Sequence, residues 1–205
     1  MQTVRTIFTS DYRIKGSKFL GYFAPCNSIE QKNSVLDDIK SEHPTATHHC
    51  YAFRLNPHQP KEFSQDDGEP GGTAGVPILN QLKSADIMNA VIVVVRYYGG
   101  TKLGKAGLIE AYGYTAEKCI ESAVLKKMIP IYLFEIEYDY QHQGLIDQIK
   151  SETNLIEIES TYLERVTLTC GLSARQKIKG EKKLKSIDHL LYKLEDKGES
   201  YYIEK

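Results

Sequence analysis

Hydrophobic and polar positions change their spacing several times along this chain, and each change predicts an element. Thr3 to Phe8 and Ser17 to Ala24 read as strands joined by a turn at Lys15-Gly16. Ser28 is placed to cap a helix running to about Glu42, in which Val35, Leu36 and Ile39 form a short apolar stripe that Pro44 ends. His48 to Leu55 alternates. His49, Tyr51, Phe53 and Leu55 share what reads as the core face, and His48, Cys50, Ala52 and Arg54 share the less apolar one. Thr73 to Leu82 reads as a short helix, and the uniformly apolar Ala90 to Val95 as a strand covered on both faces. Gly104 to Leu125 reads as a helix with Leu108, Ile109, Tyr112, Cys119, Ile120 and Ala123 on one side and Glu110, Glu117, Lys118 and Glu121 on the other.

From Met128 the rhythm is different. Tyr132 to Tyr138 alternates as a half-buried strand, a helix follows around Leu145, Ile146 and Ile149, and two strands are predicted at Leu155 to Glu159 and Tyr162 to Cys170. Ser173 and Gln176 have the spacing of a capping box, Leu184, Ile187, Leu191 and Leu194 continue a helical stripe, and Tyr201 to Glu204 reads as a last strand. The order is βαββαβ, the ferredoxin-like plan. The expectation is an α+β protein of two domains, 1–127 and 128–205, with the boundary near Lys126 to Pro130.

At 205 residues the chain has room for two cores. Its 26 basic and 27 acidic residues nearly cancel, so only local patches, not overall charge, would attract nucleic acid. Ala90 to Val95 is the longest apolar run, far short of the roughly 20 residues of a spanning helix, and no membrane association is expected. With no signal-like amino-terminal segment and no CxxC pair, Cys26, Cys50, Cys119 and Cys170 read as reduced, buried thiols of a cytoplasmic protein.

The densest chemistry lies between Phe63 and Tyr112. Asp66, Asp67 and Glu69 sit among glycines and a proline, a pattern open to a metal site, to an acid–base pair, to turn formation, or to ion pairing with Arg54 or Arg96. Their spacing is not that of a calcium loop and no His–carboxylate ligand set follows, so neither metal nor cofactor is expected. Gly99 to Lys105 satisfies G-x-x-x-x-G-K between a strand and a helix, but Ala106 stands where a nucleotide-hydrolysing loop needs the hydroxyl for magnesium. Backbone N–H groups there, with Arg96, Lys102 and Lys105 nearby, would hold a phosphate without hydrolysing it. Cys50 next to His48 and His49 is a poor nucleophile pair, because neighbours on a strand point apart, and neither Ser64 nor Thr73 lies in a nucleophile elbow. In the second half, Arg175, Lys179, Lys182 and Lys185, with Lys177 and Lys183, form the densest basic run, and Arg175, Lys179, Lys182 and Lys185, aided by Lys102 and Lys105, are the candidate RNA contacts.

Lys18-Phe19, the run His48 to Leu55, Asp66-Asp-Gly-Glu-Pro70, Gly72-Thr-Ala-Gly75, Pro77-Ile-Leu79, and Arg96 to Gly104 continuing to Ala111-Tyr112 together resemble the IMPACT family, in particular its bacterial YigZ/YvyE-type members. The resemblance covers nearly the whole chain. It implies a first domain like the second domain of a small-subunit ribosomal protein and domain IV of EF-G, with a left-handed βαβ crossover. It also implies a ferredoxin-like second domain similar to the last domain of EF-G. Eukaryotic relatives act in translational control under amino-acid starvation through protein contacts, and no settled reaction comes with the family. Gly71, Ala106 and Glu110 stand where relatives usually place Ser, Gly and often Arg, the last removing a positive charge near the glycine loop.

The expected function is translation-associated regulation by binding ribosome, RNA or translation proteins rather than catalysis. The alternative is a small-ligand or phosphate binder, or an enzyme, using a cleft between the acidic and glycine loops. Its candidate residues are His48, Arg54, Asp66, Asp67, Glu69 and Thr73 on the acidic side and Arg96, Gly99, Gly100, Lys102 and Gly104 on the other.

Overall fold

The computed structural model describes residues 1–204, and the chain divides into two compact units, Met1–Lys127 and Met128–Lys205. The first unit runs β1 (Gln2–Thr3), β2 (Phe8–Ile14), β3 (Ser17–Pro25), α1 (Ile29–Glu42), β4 (His48–Leu55), β5 (Lys61–Gln65), α2 (Gly75–Ser84), β6 (Ala90–Tyr97) and α3 (Gly104–Glu121). Five of these strands form one antiparallel sheet in the order β2-β3-β6-β4-β5. The apolar run predicted to be covered twice is its central strand. Ala90, Ile92 and Val94 pack with α2 and α3, and Val91, Val93 and Val95 pack with Leu36 and Ile39 of α1. Each of these buried Val, Ile and Leu side chains contributes about 1.5–3 kcal/mol of transfer free energy.

Several local expectations hold. The Ser28 hydroxyl accepts the Gln31 N–H at 3.2 Å, capping α1. Lys15 and Gly16 have φ of 47° and 79° and close a two-residue hairpin between Ile14 and Ser17. Others do not hold. The first long strand is Phe8–Ile14 rather than Thr3 to Phe8, because an edge strand with alternating polar side chains is stabilised by its ladder with β3 rather than by burial. On β4 there is no less apolar face: Phe53 and Leu55 are buried under α1, and Cys50 and Ala52 are just as buried under α2 and α3. Helix α3 ends at Glu121, and Ile109 is 47% exposed, since the buried arc is centred on Leu108, Tyr112, Ala116 and Cys119.

One glycine ties the second glycine loop to the sheet. A Cβ on Gly99 would stand 1.9 Å from the carbonyl carbon of Gly16, backbone against backbone. Gly99→Ala is therefore expected to destabilise the protein by about 1–3 kcal/mol in a urea titration, the usual cost of overpacking. A loss within the roughly 0.5 kcal/mol of ordinary surface changes would show that the two turns separate freely.

The second unit contains most of β7 (Lys126–Tyr138), then α4 (Gln143–Thr153), β8 (Ile156–Tyr162), β9 (Val166–Ser173), α5 (Lys177–Ser186) and β10 (Leu191–Ile203). The strands lie in the order β8-β9-β7-β10, every neighbour antiparallel. Ile146 and Ile149 of α4 and Leu184 of α5 share one core with Phe134, Ile136, Val166, Leu168, Cys170 and Leu172. The predicted helical stripe through Leu191 and Leu194 is overturned, because both belong to β10, a 13-residue strand that replaces the short one expected at Tyr201. Its charged residues gave no strand signal, yet they fit an edge, where Lys193 meets Glu135 across the ladder at 2.5 Å. The predicted capping box is also not formed: α5 begins after Gln176, whose N–H donates to the Ser173 carbonyl at 2.9 Å.

Candidate functional site

The acidic loop joins β5 to α2, and its first carboxylate is spent on backbone. Asp66 Oδ1 accepts the N–H groups of Ala74 and Gly75 at 2.9 Å each, and Oδ2 accepts that of Gly72 at 2.8 Å. The residue at the head of α2 is Ala74, which has no capping side chain, so Asp66 caps the helix from eight residues upstream. Burial pushes its carboxyl up, but the three donors outweigh that and leave it below the ordinary Asp value. Thr73, expected to open the helix, instead donates its hydroxyl to the Pro70 carbonyl at 2.6 Å.

Asp67 and Gly68 follow with φ of 45° and 87°, turning the chain sharply towards β4. Asp67 Oδ2 accepts the His49 N–H at 2.7 Å. The Asp67 carbonyl accepts from His48 Nδ1 at 2.7 Å, which fixes the proton on that nitrogen and turns Nε2 towards Glu69, 3.8 Å away. Cys50 donates its thiol to the Asp66 carbonyl at 2.9 Å, and burial pushes that thiol far up, so it supplies no thiolate.

Glu69 is the buried member of the loop. Its Oε1 accepts from Arg96 Nη1 at 2.5 Å and from the Tyr112 hydroxyl at 2.8 Å, and the two ion-pair side chains are 4% and 5% exposed. Burial first, then Cys50 and Glu69, push the Tyr112 phenol strongly up, keeping it a donor. Arg96 Nη2 donates to Ser17 Oγ at 3.3 Å, the guanidinium lies 5.4 Å from the ring centroids of Phe19 and Tyr98, and Nε is buried without an acceptor. The register of β4 on β6 places His48 opposite Arg96, which is why these two candidates meet at Glu69.

In front of this pair lies a cleft of about 370 Å³, lined by Glu69, Pro70, Arg96, Tyr98, Lys102, Leu103, Gly104, Lys105 and Leu108. Helix α3 starts at its wall with no side-chain cap and no acid in the first turn. Glu69, Arg96, Lys102 and Gly104 are thus brought together, with His48 behind Glu69, while Gly99 and Gly100 shape the loop between Arg96 and Lys102. Asp66 and Thr73 serve the backbone of their own loop and the head of α2, and Asp67 holds the His49 N–H of β4. Arg54 is not part of this site. It stands opposite Ala90 at the far end of β4, bonded to Glu62 Oε1 at 2.8 Å and the Ile87 carbonyl at 2.9 Å. Ser17, Tyr98 and Tyr112 were not singled out from sequence. Tyr98, an aromatic residue inside a charged glycine loop, was the one with a visible signal, whereas the Tyr112 hydroxyl was hidden in an apolar stripe.

On the second unit Arg175, Lys179, Lys182 and Lys185 are exposed, but the basic run is partly neutralised. Lys183 pairs with Glu152 of α4 at 2.7 Å, Lys179 donates to the Glu152 carbonyl at 2.5 Å, and Lys177 lies 3.6 Å from the Tyr132 ring centroid. Among the described residues there is no cluster of three or more His, Cys, Asp or Glu side chains able to hold a metal, and no helix is long and apolar enough to cross a membrane.

The family model for the Impact N-terminal domain matches residues 15–120. An IMPACT family member from Haemophilus influenzae is 32% identical over 192 residues, covering 91% of this chain and 92% of its own. The IMPACT family member YigZ of Escherichia coli is 33% identical over 165 residues, covering 78% and 80%. A solved crystal structure described as that of a hypothetical protein is 29% identical with a TM-score of 0.68, covering 94% of this chain and 95% of the other.

Proposed function

This chain belongs to the IMPACT family, and from that membership we propose that it is a cytoplasmic, translation-associated regulatory protein that binds the ribosome, RNA or translation proteins and catalyses no reaction. The observation that carries the binding reading is the commitment of the acidic loop. Asp66 holds three backbone donors, Asp67 one, and Glu69 an arginine and a tyrosine, so no carboxylate is left at the cleft as an acid or base. The eukaryotic members' part in translational control supplies the process. Four free, buried cysteines suit a reducing compartment. The βαββαβ order with strand order β8-β9-β7-β10 supports a ferredoxin-like assignment for residues 128–205. The three-layer first unit is proposed as the IMPACT N-terminal domain, like EF-G domain IV.

Sedimentation of cell extract through a sucrose gradient tests the proposal. Co-migration with ribosomal subunits is expected, and migration only as free protein overturns it. The contact is assigned to the exposed cations of α5 and the turn before it, since phosphate binding needs clustered positive charge. Changing Arg175, Lys179 and Lys182 to Glu is expected to abolish association and flatten its salt dependence, and because Lys179 also holds the Glu152 carbonyl, thermal melting checks that the variant stays folded. Association that survives with an unchanged salt slope would place the contact elsewhere and favour protein partners.

A further inference from the structure

The cleft beside α3 holds charge that the chain itself does not neutralise. Its wall carries three cations, Arg96, Lys102 and Lys105, against one carboxylate, Glu69, a net charge of two. Glu69 is occupied by Arg96 and Tyr112, and neither lysine has an ion pair or hydrogen bond among the described residues. A phosphate monoester carries about −1.5 to −2 at neutral pH, which matches this excess better than the single charge of an internal phosphodiester. The start of an 18-residue helix without a capping side chain adds backbone donors and the positive end of its dipole.

The backbone of the loop leaves room beside these cations. Gly104, part of the cleft wall with φ of 74°, has open space where a Cβ would stand, so the backbone at the start of α3 is bare.

Next to this cationic end the cleft is apolar and aromatic. Tyr98 is 45% exposed, and its hydroxyl is tied to the Gly100 carbonyl at 2.7 Å, which holds the ring in place. Leu103, Leu108 and Pro70 complete the wall. About 370 Å³ is at the small end of ligand pockets and fits one nucleotide unit, not a duplex.

We propose that this cleft binds a nucleoside 5′-monophosphate group, free or at the end of an RNA, with the phosphate between Lys102, Lys105 and the start of α3 and the base against Tyr98. The site is independent of any ribosome contact made by the second unit.

Calorimetric titration of the full chain with AMP, adenosine, and a short single-stranded RNA bearing either a 5′-phosphate or a 5′-hydroxyl tests it. The phosphorylated member of each pair is expected to bind about tenfold more tightly or better, and Lys102→Ala with Lys105→Ala is expected to erase the difference. Both lysines are exposed, and thermal melting of the double variant confirms that it stays folded. AMP binding as tightly as the phosphorylated RNA identifies the free nucleotide; markedly tighter RNA binding identifies the RNA end. Equal affinity for phosphorylated and unphosphorylated probes, a preference that survives the double substitution, or no binding at millimolar AMP overturns the proposal. Ribosome co-sedimentation persisting without a 5′-phosphate preference removes this pocket alone and leaves the translation role standing.

Discussion

Replacing Glu69 with alanine is expected to destabilise the protein by about 3–5 kcal/mol, the usual cost of removing one partner from a buried ion pair. The carboxylate accepts both from Arg96 Nη1 and from the Tyr112 hydroxyl. Truncation would leave the Arg96 guanidinium against the Phe19 ring with no counter-charge and only the Ser17 hydroxyl as acceptor, and the buried Tyr112 phenol with none, added to an Arg96 Nε that already lacks one. The stranded charge dominates, because the hydrogen bonds alone are worth only about 0.5–1.5 kcal/mol each for neutral groups. Urea denaturation followed by circular dichroism measures the loss. Replacing the pair together, Glu69→Leu with Arg96→Met, is expected to cost less than Glu69→Ala, since no charge then remains buried. A Glu69→Ala loss of about 1 kcal/mol or less, typical of a solvated surface pair, would contradict a desolvated pair.

Asp66→Ala is expected to cost about 2–3 kcal/mol, more than the 0.5–2 kcal/mol of an ordinary N-cap, because three backbone donors lose a charged acceptor at once. Ile78 and Leu82 of α2 are fully buried against the sheet, so fraying of this helix loosens the core. Asp66→Asn is expected to cost about 1–2 kcal/mol, since one oxygen keeps its two partners and the amide faces the third donor. The carboxyl sits below its ordinary value in the folded state, so its contribution is fully present above the unfolded value of about 3.9 and is lost as pH falls through the lower folded value. The melting-temperature gap between wild type and Asp66→Asn should therefore be constant from neutral pH to about pH 5 and shrink below about pH 4. A gap unchanged at about pH 3 would show that the carboxylate's charge contributes nothing to the cap.

The two acids next to each other in sequence show where legibility ended. Asp66 and Asp67 were equally open to turn, metal or acid–base roles. Both carboxylates hold backbone N–H groups, Asp66 those of Gly72 and the start of α2 and Asp67 that of His49 on β4, and which acid meets which element depends on where α2 and β4 pack, a placement no local pattern encodes. Arg54 and Arg96 were likewise equivalent candidates for the loop's partner. The antiparallel pairing of β4 with β6 set His48 opposite Arg96 and Arg54 opposite Ala90, which brought Arg96 to Glu69 and sent Arg54 to Glu62.

Edge strands were the other blind spot. Phe8–Ile14 and most of Leu191–Ile203 carry charge at positions a core strand would not allow, and β10 reads as a helical stripe where Leu184, Ile187, Leu191 and Leu194 follow one another. Their stability comes from ladder hydrogen bonds to β3 and β7 and from cross-strand pairs such as Lys193 with Glu135, none of which depends on apolar periodicity.

By itself the sequence determined what local burial and local turn chemistry write into spacing. That covers the α+β character, the central strand Ala90 to Val95, the Ser28 cap, the Lys15-Gly16 hairpin and the presence of two charged glycine loops flanking one strand. Only the tertiary structure decided which charges meet, which are spent on backbone and which, like Lys102 and Lys105, remain available at a cleft. Periodicity reports which face of an element is buried, whereas partnership between residues such as Glu69 and Arg96 is set by strand register, a property of two segments that neither carries alone.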